Sequence, residues 1–89
     1  MVKRTVTVGN KSGLHARPAA LFVGKAQSFS SEIYLASPGQ EPVNGKSILG
    51  LLTLGAEQGS TIEIAAEGPD AETAVAELVK LIESFDPQF

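Results

Sequence analysis

The chain has 89 residues, of which seven are basic and ten acidic, giving a net charge of −3. That length fits one domain, residues 1–89, around one modest core. The absence of cysteine excludes a disulfide framework and thiolate metal sites, and a single histidine leaves too few ligands for zinc or haem.

No apolar run is long enough to span a bilayer, and the first residues alternate in character instead of forming a leader, so a cytoplasmic protein is expected. Charge is segregated along the chain. Lys3, Arg4, Lys11, Arg17 and Lys25 all precede the first acid, Glu32, while only Lys46 and Lys80 follow it among the ten acids. Such segregation suggests a basic face for a phosphate or an acidic partner; dispersal of these charges on folding is an equal reading.

Val2 to Val8 alternate as a strand does, with Val2, Val6 and Val8 in one phase. Gly9 to Gly13 carry turn chemistry. A helix follows with Pro18 near its start, where a missing N–H costs nothing, and Ala19, Phe22, Val23 and Ala26 at helical spacing. Gly24 weakens that helix by roughly 1 kcal/mol. A second strand has Ile33 and Leu35 facing inward and Glu32, Tyr34 and Ala36 outward. Ser37-Pro38-Gly39-Gln40 suits a type II turn, and a short strand over Glu41 to Val43 is expected to complete a hairpin before the Asn44-Gly45 turn.

Ser47 is expected to cap a short helix, Ile48 to Leu54, ended by Gly55. In the last strand Ile62, Ile64 and Ala66 alternate with Thr61, Glu63, Ala65 and Glu67. Asp70 is expected to cap a final helix whose stripe runs Ala71, Ala74, Val75, Leu78, Val79, Ile82 and Phe85, with Phe89 in a loose tail. Strands with one polar face imply an antiparallel sheet covered on one side, and thus a two-layer α+β sandwich with three helices.

The lone histidine lies in Ser12-Gly13-Leu14-His15-Ala16-Arg17-Pro18-Ala19-Ala20, where a loop turns into a helix. A helix start presents unpaired backbone N–H groups that favour anions. Neutral imidazole is a nucleophile, and an arginine two residues on can hold phosphoryl oxygens. Together these features suit a protein that carries a phosphoryl group on His15. From spacing alone, a histidine that merely decorates a helix start is an equal reading.

Gly13-Leu14-His15-Ala16-Arg17-Pro18-Ala19 resembles the active-site signature of HPr, the histidine-containing phosphocarriers of the bacterial phosphoenolpyruvate:sugar phosphotransferase system. Ser47-Ile48-Leu49-Gly50-Leu51-Leu52-Thr53-Leu54-Gly55 is similar to that family's second signature, and length and element order match across essentially the whole chain. The resemblance implies an open-faced β-sandwich, a four-stranded antiparallel sheet of order 1-4-2-3 with three helices on one face. It implies that His15 accepts phosphate at Nδ1 from phosphorylated Enzyme I and passes it to IIA domains of sugar permeases. Arg17 and the backbone N–H groups of Ala16 and Arg17 would steady the phosphoryl oxygens. The protein would then be a phosphoryl carrier and a substrate of phosphotransferases, not an enzyme. It would need no cofactor or metal and would act as a monomer without membrane or nucleic acid.

The same resemblance implies a regulatory site at Ser47, phosphorylated by an HPr kinase/phosphorylase, and a link to a catabolite-control transcription regulator. Five large aliphatic residues cover too much of a two-turn helix for one buried face. Leu51 and Leu54 share a core phase. Ile48, Leu49 and Leu52 suit an exposed docking patch, as the matching family positions do, and Ala20 is taken as part of it. Small departures from the family pattern are a longer hairpin at Ser37 to Gln40, Leu49 where methionine or phenylalanine is common, and an extended tail after Phe85.

Other functions are less well supported by the residues. Gly45-Lys46-Ser47 lacks the first glycine of a P-loop, since position 40 is glutamine. Tyr34 is the one aromatic on an expected strand, so stacking of nucleic-acid bases is poorly served. A phosphate hydrolase would need a second acid–base group beside His15 and Arg17, and none is evident. A regulatory HPr paralogue remains the strongest competitor, and phosphoryl flux to a IIA domain separates it from a transport carrier.

Overall fold

A computed structural model describes residues 1–89. In chain order the elements are β1 (Val2–Thr7), α1 (Ala16–Ala26), β2 (Glu32–Ala36), β3 (Val43–Asn44), α2 (Ile48–Leu54), β4 (Thr61–Glu67) and α3 (Ala71–Ser84). The strands form one antiparallel sheet of order β1-β4-β2-β3. β4 is the longest strand and is paired on both edges, which explains its run of buried residues. Val6 lies opposite Ile62, Ile33 opposite Ala66 and Leu35 opposite Ile64, so one face of the sheet is continuously apolar.

The three helices cover that face, as an amphipathic stripe requires. α3 packs on β1 and β4 through Ala74, Val75, Leu78 and Ile82, all buried. α1 lies against α3 and α2, with Phe22 fully buried at its centre. α2 sits beside β2 and β3, inserting Leu51 and Leu54. A single cluster of 22 buried residues results. The Ser47 hydroxyl accepts from Gly50 N at 3.1 Å, and Gly55 ends α2 in the left-handed conformation, φ +66°, that glycine adopts without penalty.

Several sequence expectations are corrected. β3 spans Val43–Asn44 instead of Glu41 to Val43, because Pro42 has no N–H to give to a ladder. Ala65 is buried although its phase points to the open face; its strand neighbours Lys3 and Tyr34 flank its small methyl group there. Of the two readings of the N-terminal basic residues, Lys3 and Lys25 fit dispersal: Lys3 lines the open side of the sheet, and Lys25 pairs with Glu77 at 3.5 Å beside α3.

Asp70 occupies the position before α3 but makes no capping hydrogen bond to it. Its carboxylate instead accepts from Ser31 Oγ and from the N–H groups of Ser30 and Ser31, both at 2.9 Å, tying α3 to the start of β2. The Ser31 hydroxyl and then the Ser30 N–H hold its pKa below the ordinary carboxylate range, since they favour the charged form. A folded-state value below the unfolded one gives stability that is present above the unfolded value and lost as pH falls through the folded value. Asp70→Asn should therefore lower the melting temperature at neutral pH and flatten the loss of stability below pH 4. Parallel melting-versus-pH curves for the two proteins would contradict this linkage.

Candidate phosphoryl-transfer site

The position of His15 is set by the loop before it. Gly59 N donates to Val8 O at 2.7 Å, Gln58 Nε2 to Gly9 O at 3.2 Å and Leu14 N to Ala56 O at 2.9 Å, so the loop is stitched to the segment after α2. Buried Asn10 braces the turn by accepting from Gly13 N through its backbone carbonyl, 3.1 Å, and donating Nδ2 to Gly13 O, 2.9 Å. Gly13 has φ +66°, and a Cβ there would lie 2.3 Å from Ala56 O. Only glycine fits such a left-handed, close-packed position. The Leu14 side chain is fully buried and anchors the next residue.

His15 follows as the residue before α1, in an extended conformation, φ −121° and ψ 162°. Its ring is half-buried and makes no capping hydrogen bond to the helix. The N–H groups of Ala16 and Arg17 open α1 and have no intrahelical acceptor; Pro18 contributes none. No acidic side chain occupies the first turn to neutralise this end, and Lys25 stands at the other. An anion is favoured beside His15 by about 0.3–1 kcal/mol from the helix end.

Ala16 has φ +50°, the one non-glycine residue in the left-handed region. Such a conformation costs about 1–3 kcal/mol and persists only where surrounding contacts enforce it. Ala16 lies between buried Leu14 on one side and buried Pro18 and Ala19 on the other. The kink falls between His15 and Arg17 in the chain.

Arg17 is exposed, and the only ion pair in the protein, Lys25–Glu77, does not involve it. Its guanidinium carbon sits over the Phe89 ring, 5.6 Å from the centroid. The tail expected to be loose is in fact docked. Lys11 N donates to Pro87 O at 2.8 Å, Ser12 Oγ donates to Phe89 O at 2.6 Å, and the Phe85 and Phe89 rings meet edge to face at 5.4 Å. The tail finds its hydrogen-bond partners in a loop more than seventy residues away, which local sequence does not reveal.

Ile48, Leu49 and Leu52 are exposed on α2, Leu49 to 74%, and Ala20 is exposed on α1. Exposed Leu21 on α1 joins this set and escaped the sequence reading. Its signal was available in the helical phase, since Phe22 and Val23 take the core-facing positions and turn Leu21 outward. Ser47 is half-buried at the start of α2, and Nζ of the preceding Lys46 donates to Phe29 O at 2.8 Å. A hollow of about 410 Å³ lies on the open face of the sheet between Tyr34, Ala65 and Pro42, and none of its residues belongs to the His15 loop or α2. No cluster of three His, Cys, Asp or Glu side chains is placed to hold a metal. No helix is long and apolar enough to cross a membrane.

The family model described as "PTS HPr component phosphorylation site" matches residues 2–84. The chain is 48% identical over 83 residues to the HPr-like protein Crh of Halalkalibacterium halodurans, covering 93% of this chain and 98% of that one. It is 48% identical over 85 residues to the phosphocarrier protein HPr of Borreliella burgdorferi, covering 96% and 98%. A crystal structure of HPr from Thermoanaerobacter tengcongensis superposes with a TM-score of 0.90 at 50% identity, covering 94% of this chain and 93% of that one. A dimer of HPr from the same organism matches with a TM-score of 0.73 at 50% identity, covering 94% and 95%. With an open-faced sandwich, a histidine at the mouth of α1 and relatives of this similarity along nearly its whole length, the chain belongs to the HPr family of phosphotransferase-system phosphocarriers.

Proposed function

We propose that residues 1–89 act as one HPr-like unit in which His15 accepts a phosphoryl group from phosphorylated Enzyme I and delivers it to IIA domains of sugar permeases. The observation that carries this reading is a half-buried imidazole beside two unpartnered amide N–H groups and an arginine with no carboxylate partner. The neutral Nδ1 lone pair forms the new bond to phosphorus while the donor's bond to phosphorus breaks and its electron pair leaves with the donor. Arg17 and the amides of Ala16 and Arg17 take up charge on the phosphoryl oxygens. These contacts are moderate and solvent-exposed, which suits a group that must be handed on. One copy of the chain contains all of these groups, so transfer requires no second copy.

The test is phosphorylation by phosphoenolpyruvate and purified Enzyme I, followed by transfer to a IIA domain. One acid-labile phosphate per chain is expected, and acid-stable label or no label would refute the reading. Arg17→Ala should slow transfer about tenfold, the loss of roughly 1.4 kcal/mol from a screened charge-assisted contact, without removing the acceptor. An unchanged rate would remove Arg17 from the mechanism.

Ala20, Ile48, Leu49 and Leu52, with Leu21, serve in this reading as the apolar docking patch for Enzyme I and IIA domains. Ser47, which caps the helix bearing most of that patch, is the regulatory position for an HPr kinase/phosphorylase and, through it, a catabolite-control transcription regulator. A phosphate there adds about −1.5 to −2 charge beside the patch. The similarity to Crh supports a regulatory role alongside transfer. Ser47→Asp should weaken Enzyme I binding several-fold by calorimetry; equal affinity would argue against charge repulsion.

A further inference from the structure

We propose that Phe89 is a positioning residue for Arg17: its ring holds the guanidinium beside the His15 loop without occupying the N–H groups that would meet a phosphoryl group. The inference rests on the role given to Arg17 above. The contact itself is a guanidinium 5.6 Å from the ring centroid, within the range of a cation–π attraction. The ring is not free to drift. The ring meets buried Phe85 edge to face, and the Phe89 backbone is held by the bond from Ser12 Oγ to its O and by the bond from its N to Asp86 O. Ser12 and Lys11, which hold the tail, belong to the same loop that delivers His15.

An arginine is long and loses rotamer freedom whenever it binds. Holding it in advance reduces that loss. A carboxylate in the place of Phe89 would also hold it, but it would cancel the charge and compete with the phosphoryl oxygens. An aromatic face attracts the cation while leaving the in-plane N–H donors available. Arg17 has no ion-pair partner elsewhere, so Phe89 is the contact that restrains its head group.

The experiment uses the full chain with Phe89→Leu and Phe89→Tyr, each alone and combined with Arg17→Ala. Nitrogen relaxation reports the order parameter of the Arg17 Nε–Hε bond, and rapid quench reports phosphoryl transfer from Enzyme I. Loss of an exposed cation–π contact corresponds to roughly a two- to fivefold change. Phe89→Leu is expected to lower the order parameter and slow transfer by that factor, Phe89→Tyr to retain both, and Phe89→Leu to add nothing once Arg17 is alanine. An unchanged order parameter overturns the proposal. So does an equal slowing in both backgrounds, which is the result of a tail acting only as structure. If Arg17→Ala slows transfer and Phe89→Leu does not, this proposal fails and the role of Arg17 stands. If Arg17→Ala leaves transfer unchanged, the role of Arg17 fails and takes this proposal with it.

Discussion

Replacing His15 with alanine is expected to abolish acid-labile labelling by phosphoenolpyruvate and Enzyme I, a loss on the order of 10³-fold or more, while the fold persists. The ring is half-buried at the rim of the fold and makes no capping bond, so its removal leaves little of the core exposed. The loop that carries it is held by Leu14, Asn10 and the bonds to Ala56 and Gly59, none of which involves the imidazole. The chain has no second histidine or cysteine to act as a substitute nucleophile of similar chemistry. The comparison to make is label incorporated per chain against an unchanged thermal transition. Undiminished acid-labile label in the alanine variant would place the acceptor elsewhere.

Gly13→Ala should be the most damaging single methyl group that can be added near the site. The left-handed backbone at φ +66° costs a non-glycine residue about 1 kcal/mol or more, and the new Cβ would lie 2.3 Å from the Ala56 carbonyl oxygen and 2.8 Å from Glu57 Cα. Neither obstacle is the end of a flexible side chain, so backbone must move. The hydrogen bond from Leu14 N to Ala56 O lies at the same crossing and would lengthen with it. Together these effects should cost about 3 kcal/mol, or roughly 12–24 °C in melting temperature for a domain this size. Transfer by the fraction that remains folded should fall as well, because displacement of Leu14 displaces His15. A melting temperature within 4 °C of the parent, about 1 kcal/mol or less, would show that the loop yields without cost.

Those parts of the architecture that depend on local period were legible in the chain. Ile33 and Leu35, and Ile62, Ile64 and Ala66, alternate because one face of each strand meets helices. Leu51 and Leu54 separate from Ile48, Leu49 and Leu52 because a helix repeats every 3.6 residues. The order β1-β4-β2-β3 came only with the family resemblance, since alternation does not say which strands pair.

What escaped the reading is long-range. The Asp70 carboxylate takes its partners from Ser30 and Ser31, about forty residues away, where local rules predict a helix cap. Phe89 docks on Ser12 and Phe85, and a terminal aromatic shows no period that would reveal it. Ala16 is left-handed between buried neighbours, and alanine carries no intrinsic signal for such a conformation. His15 and Arg17 are proposed from the sequence itself, but the left-handed Ala16 between them and the Phe89 ring beneath the Arg17 guanidinium were not legible there.

The most direct test of the phosphocarrier reading is nitrogen–phosphorus NMR of the chain after incubation with phosphoenolpyruvate, magnesium and Enzyme I. A coupling between phosphorus and Nδ1 of His15, lost on brief acid treatment, is the predicted result. Phosphorus bonded to an oxygen of any other residue, or an imidazole that stays unmodified while Enzyme I is fully phosphorylated, would contradict it.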